Sequence, residues 1–271
     1  MPTLQRPGCT LHYEVTGQGP AIVFTHSYLC DGRMVAHQVA ALQRRWRVIN
    51  VDLRGHGRSS AAVGPLDFDL FADDVLAVLD AEGVTSAVWA GLSMGGFTSM
   101  RAALKAPQRV SALVLMDTSA RRDPWHKQIQ HRLMRGLVRS FGPGAVAGEL
   151  VKMMFGATTR REQPALVQAW QQDFLQCHVP SALAVAGALA ARDDLRARLP
   201  QIRCPTLVLA GAEDRALPPA LSREIAALIP GAQFAEVPGV GHLSTLEAPD
   251  RLTRLIEAFV EPLQQRPALA A

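Results

Sequence analysis

A short apolar run, Ser86-Ala-Val-Trp-Ala90, ends in Gly91-Leu-Ser93-Met-Gly95, and a helix-like segment begins at once behind it. Few backbones pass from strand to helix within one residue. Ser93 must take a strained conformation there, and bulky side chains two positions to either side would collide, which is where the glycines stand. G-x-S-x-G in a strand–turn–helix setting is a nucleophile elbow. It holds the serine hydroxyl clear of the sheet, with a helix N-terminus and the Met94 amide close to the carbonyl that the hydroxyl would attack. The pattern carries weight only if a base and an acid stand elsewhere in the chain.

Both are present. Pro205-Thr-Leu-Val-Leu-Ala-Gly-Ala-Glu-Asp214 reads as a buried strand ending in an acidic loop, and the strand Gln233–Val237 runs into Pro238-Gly-Val-Gly-His242. Each candidate lies just past the C-terminal end of a strand, where open parallel sheets place their sites. His242 suits a general base with a pKa near neutrality, and Asp214 would accept its Nδ1 proton and fix the tautomer. Glu213 is adjacent but would point differently. Asp117, closing the run Leu113-Val-Leu-Met116, is a rival acid. His26, His56, Asp52 and Arg54 fall near turns and read as braces, and Asp193 and Asp194 as a solvated face.

The chain order Ser93, Asp214, His242 is that of the α/β-hydrolase superfamily, which the sequence resembles over nearly its whole length. Val48-Ile-Asn-Val-Asp52-Leu-Arg54-Gly55-His56-Gly57-Arg-Ser59 is similar to the family's D-x-R-G-x-G-x-S, and Gly241-His242-Leu-Ser-Thr-Leu-Glu247-Ala-Pro249 to its histidine loop. Ala21–Tyr28 stands in the place of the oxyanion loop. The family usually has His-Gly there, and this chain has His26-Ser27.

The resemblance implies a doubly wound, mostly parallel eight-stranded sheet with an all-helical cap insertion. It also implies an oxyanion hole from the amides of Met94 and Tyr28, with substrate contacts at Ser27, Leu29, Trp125, Arg122, Leu217 and Leu243. Some members place the acid where Asp117 stands. The activity implied is cleavage of a carboxylic ester or lactone through an acyl-enzyme, with a small-molecule substrate and no cofactor. Aspartate at the nucleophile position would have indicated haloalkane or epoxide chemistry. Met116–Arg121 and Ala190–Asp194, ahead of Ile202–Pro205, resemble 3-oxoadipate enol-lactonases, whose substrate carries a carboxylate that arginines attract. Cofactor-free perhydrolases or haloperoxidases and C–C bond hydrolases share the same triad. A slow-hydrolysing ligand receptor is a further alternative, which the complete triad disfavours.

Periodicity fills in the rest. Leu11–Val15 alternates like an edge strand. Apolar runs at 21–25, 47–51, 86–90, 111–116, 206–211 and 233–237 are mostly continuous, as in a parallel sheet covered on both faces. Helical patterns at about 34–44, 68–82, 94–106, 218–229 and 249–261 alternate with them, which implies a doubly wound sheet. From 121 to 196 the rhythm breaks into helices without strands. One apolar stripe there is Ile129, Leu133, Leu137, Val138 and Phe141, and another is Leu166, Trp170, Phe174 and Cys177. The expected division is a core of 1–120 and 197–271 with a cap of 121–196. Arg132, Arg135 and Arg139 fall opposite the first stripe and read as a wet face. Arg121, Arg122 and Trp125, just past a strand end, are better placed to meet substrate.

With 271 residues and 48% hydrophobic content, the chain can bury a large core. The net charge of +4 is small and comes with no nucleic-acid motif. No apolar run approaches the ~20 residues that span a bilayer, and no secretory signal is visible, so a cytoplasmic protein is expected. Residues 266–271 read as a disordered tail. Cys9, Cys30, Cys177 and Cys204 follow no pattern and read as core residues, and Cys177-His178 lacks the further ligands of a zinc site. No dinucleotide fingerprint occurs.

Overall fold

The apolar runs lie side by side in one sheet of eight strands. In chain order these are β1 (Thr3–Arg6), β2 (Cys9–Thr16), β3 (Ala21–Thr25), β4 (Arg47–Asp52), β5 (Ala87–Leu92), β6 (Val110–Met116), β7 (Thr206–Gly211) and β8 (Gln233–Val237). The protein is seen in a computed structural model that describes residues 2–62 and 64–265. The tail expected at 266–271 lies outside them. The sheet order is β1-β2-β4-β3-β5-β6-β7-β8; β1 and β2 are antiparallel to their neighbours and the remaining pairs are parallel. β1 has no counterpart among the expected strands. It is four residues long and its side chains alternate between exposed and half-buried, so it pairs by backbone and leaves no apolar signature. It also covers β2, so Leu11–Val15 is not the edge.

The continuous apolar strands follow from burial on both faces. Val23, Ile49, Trp89, Leu113 and Val208 enter one core layer, while Ile22, Val48, Val88, Val114 and Leu207 enter the other. α1 (Ala36–Leu42) packs with the C-terminal helix Pro249–Val260 on the second face. On the first face, α2 (Phe68–Ala81) packs with α3 (Met94–Lys105). Asp67 starts α2 by accepting from the Leu70 amide at 2.7 Å.

Between β6 and β7 the described residues hold no strand. The chain forms α4 (Trp125–Phe141), α5 (Ala147–Met154), α6 (Ala157–Glu162), α7 (Pro164–Leu175) and α8 (Val179–Ala191) instead. β7 is followed by α9 (Pro219–Leu228) and β8 by α10 (Ser244–Glu247) and α11 (Pro249–Val260). In α7 the expected stripe is the packed face, with Trp170 and Phe174 buried.

In α4 it is not. No residue of α4 is buried, and Trp125, Leu133 and Phe141 are 73%, 65% and 75% exposed. The helix is turned so that Met134, Arg135 and Val138 face inward. Its neighbour α8 is built of small residues, and the Arg135 guanidinium lies against Gly187, where a Cβ would stand 3.4 Å from it. Arg135 is therefore not on the wet face that its spacing suggested. No single helix among the described residues is long and apolar enough to cross a membrane.

Candidate active site

Strand register gathers the candidates at one end of the sheet. Thr25 lies opposite Gly91, which sets His26-Ser27-Tyr28 beside Leu92-Ser93-Met94. Leu92 lies opposite Met116, so Asp117 neighbours Ser93; Gly211 lies opposite Val237, so the loops carrying Asp214 and His242 run together.

Ser93 has φ 54° and ψ −109°, a conformation that costs on the order of 1–3 kcal/mol and persists only where the surroundings enforce it. The surroundings do. The Ser93 amide donates to the Met116 carbonyl at 2.8 Å, and its own carbonyl accepts from Thr118 Oγ1 at 2.8 Å. The flanking glycines are needed for space. A Cβ on Gly91 would lie 2.3 Å from the Gly95 carbonyl, and one on Gly95 would lie 2.3 Å from the Thr25 oxygen. No real Cβ sits so close to backbone.

His242 is buried, and its Nδ1 bonds to Asp214 Oδ2 at 2.8 Å. The other Asp214 oxygen accepts from the Leu217 amide at 2.9 Å, so Leu217 helps to hold the acid. Burial pulls the His242 pKa down, but the Asp214 charge beside it, with Asp117 and Glu247 further off, leaves it raised above 6.5. The rival acid is engaged elsewhere. Asp117 accepts from the Gly211 amide at 2.7 Å and from Ser244 Oγ, and burial together with the nearby Asp214 pushes its carboxyl well up. Among the described residues no hydrogen bond joins the Ser93 hydroxyl to the His242 ring. Catalytic contacts of this kind are commonly long until substrate tightens them.

The oxyanion loop is pinned by His26, which bonds through Nδ1 to the Ser27 carbonyl at 2.8 Å and accepts the Leu53 amide on Nε2 at 2.9 Å. The His26 carbonyl accepts the Gly95 amide at 3.1 Å, tying the loop to the elbow. Neither the Tyr28 nor the Met94 amide donates to another described group. Met94 opens α3, where an N–H has no partner within the helix. The Ser27 hydroxyl is buried and, among the described residues, without a partner. Asp52 braces the neighbouring turn, accepting from the Gly32 amide at 2.8 Å and the Arg58 amide at 2.9 Å.

The remaining expected contacts separate. Leu29 lines, with Tyr28, a cavity of about 90 Å³ between the oxyanion loop and helices α4, α5, α7 and α8. Arg122 and Trp125 are exposed and do not line it: α4 points their turn into solvent. Leu243 is fully buried in the core layer behind His242, and its amide donates to Glu247. Glu247 itself went unmarked in the sequence. It is buried and accepts from the Gly241 and Leu243 amides on either side of His242, and from the Gly156 amide and Thr159 hydroxyl of the helical segment. Glu213 takes the Thr158 amide at 2.8 Å and hydroxyl at 2.6 Å. A carboxylate within a histidine loop was visible, but Gly156 and Thr159, through which it ties that loop to the helical segment, lie some ninety positions away in sequence, so that job was not.

Residues 20–249 match the family model described as alpha/beta hydrolase fold. The chain is 30% identical over 264 residues to 3-oxoadipate enol-lactonase 2 of Acinetobacter baylyi, covering 96% of each. Among solved structures it is similar to a thermophilic esterase from Thermogutta terrifontis with malate bound, at TM-score 0.91 and 33% identity over 97% of each chain. It is also similar to the enol-lactonase from Burkholderia xenovorans, at TM-score 0.89 and 31% identity over 96% of this chain and 100% of the other.

Proposed function

The chain belongs to the α/β-hydrolase family and is a hydrolase; from that premise we propose that it cleaves a carboxylic ester or lactone through an acyl-enzyme formed on Ser93. His242 takes the Ser93 proton as the oxygen attacks the carbonyl, and the charge appearing on that oxygen is met by the free amides of Met94 and Tyr28. Asp214 holds the ring in the tautomer that presents Nε2 and steadies the imidazolium. The imidazolium then protonates the leaving alcohol, and water repeats the cycle to release the acid. The helical segment 121–196 serves as the cap, with the core running up to residue 120 and on from residue 197.

The observation that carries this reading is the strained Ser93 on a sheet edge shared with the 2.8 Å Asp214–His242 bond. The likeness to enol-lactonases favours, as a narrower reading, a lactone substrate. Ser93→Ala tests the assignment. Turnover of p-nitrophenyl acetate should fall on the order of 10⁴–10⁶-fold, and covalent labelling by a fluorophosphonate should vanish. Labelling that persists in this variant would overturn it.

A further inference from the structure

The large apolar side chains that the described residues expose all lie on one helix. They are Trp125, Ile129, Leu133, Leu137 and Phe141 of α4, every fourth residue from its first turn to its last, so they form a single ridge. Met134 and Val138 line the cavity on the inner side, which makes the ridge the side of α4 turned away from the core. An apolar patch this continuous on a protein surface marks a place where something binds. The charge of the helix is one-sided as well. α4 carries Lys127, Arg132, Arg135 and Arg139 and no acid. Arg132 and Arg139, two turns apart, are exposed along one flank of the ridge, and neither has a carboxylate partner among the described residues. Asp123, the acid just ahead of the helix, is buried and taken up by Arg192 at 2.7 Å and His131 at 3.2 Å.

We propose that α4 is an interfacial helix, which lays this ridge on an anionic phospholipid surface. A face of Trp, Leu and Phe bordered by arginines sinks shallowly into the boundary between headgroups and acyl chains, while the cations hold the lipid phosphates. Such a helix lies in the surface and does not cross it. A second copy of the chain is a poorer occupant. It would bring the same cations and no carboxylate from its own α4, and antiparallel pairing about a two-fold axis would set Arg132 and Arg139 against their copies. The area is also too small: a helix of 17 residues is about 25 Å long and about 10 Å wide, against the ~800 Å² that each side of a stable protein interface buries. A protein partner of any kind would need a groove to receive a convex ridge, whereas lipid deforms around one. The proposal stands apart from the chemistry at Ser93, and its test involves no turnover.

Trp125 reports on the contact directly, because Trp46, Trp89 and Trp170 are buried. With vesicles of phosphatidylcholine containing about 30% phosphatidylglycerol, tryptophan emission should shift to the blue and the protein should float with the vesicles in a density gradient. Vesicles of phosphatidylcholine alone should bind at least tenfold more weakly. Leu133→Glu puts a charge in the middle of the ridge and should cut partitioning tenfold or more, with the melting temperature unchanged because the side chain is exposed. Arg132→Gln with Arg139→Gln should lower binding to the anionic vesicles about 20-fold, or about fivefold for each cation, and leave binding to the neutral ones as it was. Trp125→Phe should abolish the blue shift and keep the flotation. A wild type that ignores anionic vesicles would overturn the proposal. If sedimentation then shows a dimer that Leu133→Glu splits, the occupant is a second copy; if it shows a monomer, the occupant is another protein. Equal partitioning of the wild type and Leu133→Glu would overturn it as well.

Discussion

The sheet and the helical segment inserted after β6 are built on opposite principles. In the sheet, strands such as β5 and β7 are buried along their whole length, and turns are held by contacts with no slack. In the insertion, α4 runs for 17 residues without burying one, and the described exposed large hydrophobics all lie on it. A packed sheet edge fixes reacting groups to fractions of an ångström, which the proposed chemistry needs. A loosely seated helix can carry a group such as Arg135 into a cavity without constraining the elbow. The two parts are joined by a few carboxylates, chiefly Glu247 and Glu213, which bind the α5–α6 joint to the loops bearing His242 and Asp214.

The contrast can be broken most directly with one substitution made in both parts. Gly95→Ala would force a Cβ to 2.3 Å from the Thr25 carbonyl. It should cost on the order of 4–5 kcal/mol or more, seen as loss of soluble folded protein. Gly136, in the middle of α4, has nothing within 4 Å of its missing Cβ. Gly136→Ala should stabilise by about 0.5–1 kcal/mol in chemical denaturation, because alanine loses less backbone freedom in a helix. Equal effects at the two sites would mean that the insertion is as tightly packed as the sheet.

Leucines give the next largest difference. Leu113 in β6 is fully buried, and Leu113→Ala should cost about 2–5 kcal/mol from lost burial and the cavity left behind. Leu133 in α4 is 65% exposed, and Leu133→Ala should stay within about 0.5 kcal/mol. A cost at Leu133 approaching that at Leu113 would show that something covers α4 in solution.

What the sequence disclosed follows the same division. The strained strand-to-helix turn at Ser93 and the boundaries of α2, α3 and α11 were legible because glycine placement, caps and burial on two faces leave strong local marks. β1 left none, being short and half-exposed. The orientation of α4 was not legible either. Periodicity says that a helix has an apolar stripe, and only its neighbours decide whether that stripe meets the core. Arg135 was misplaced for this reason, and Glu247 was passed over because the partners that it reaches in the helical segment, Gly156 and Thr159, are distant in sequence.

Two buried histidines sharpen the contrast at the scale of single protons. His242 and His56 are both buried at the sheet's edge, yet their charges are set in opposite directions. Burial, with His26 close by, pushes His56 down to about 3, whereas Asp214 raises His242 above 6.5 against its own burial. The signs then follow. Folded His56 refuses a proton that the unfolded chain accepts below 6.5, so stability falls as pH drops from 6.5 toward 3, by about 1.4 kcal/mol per pH unit from this residue. His242 works the other way: the stability that it adds is complete below 6.5 and is lost as pH rises through its raised value. As the base must be neutral, kcat/KM should climb about tenfold per pH unit on the acid side and level off above 6.5. Both effects last only while the sheet-end loops stay closed. Histidine NMR titration should therefore show His56 silent at pH 5, and a His56 titrating near 6.5 would mean that these loops open as freely as α4 sits.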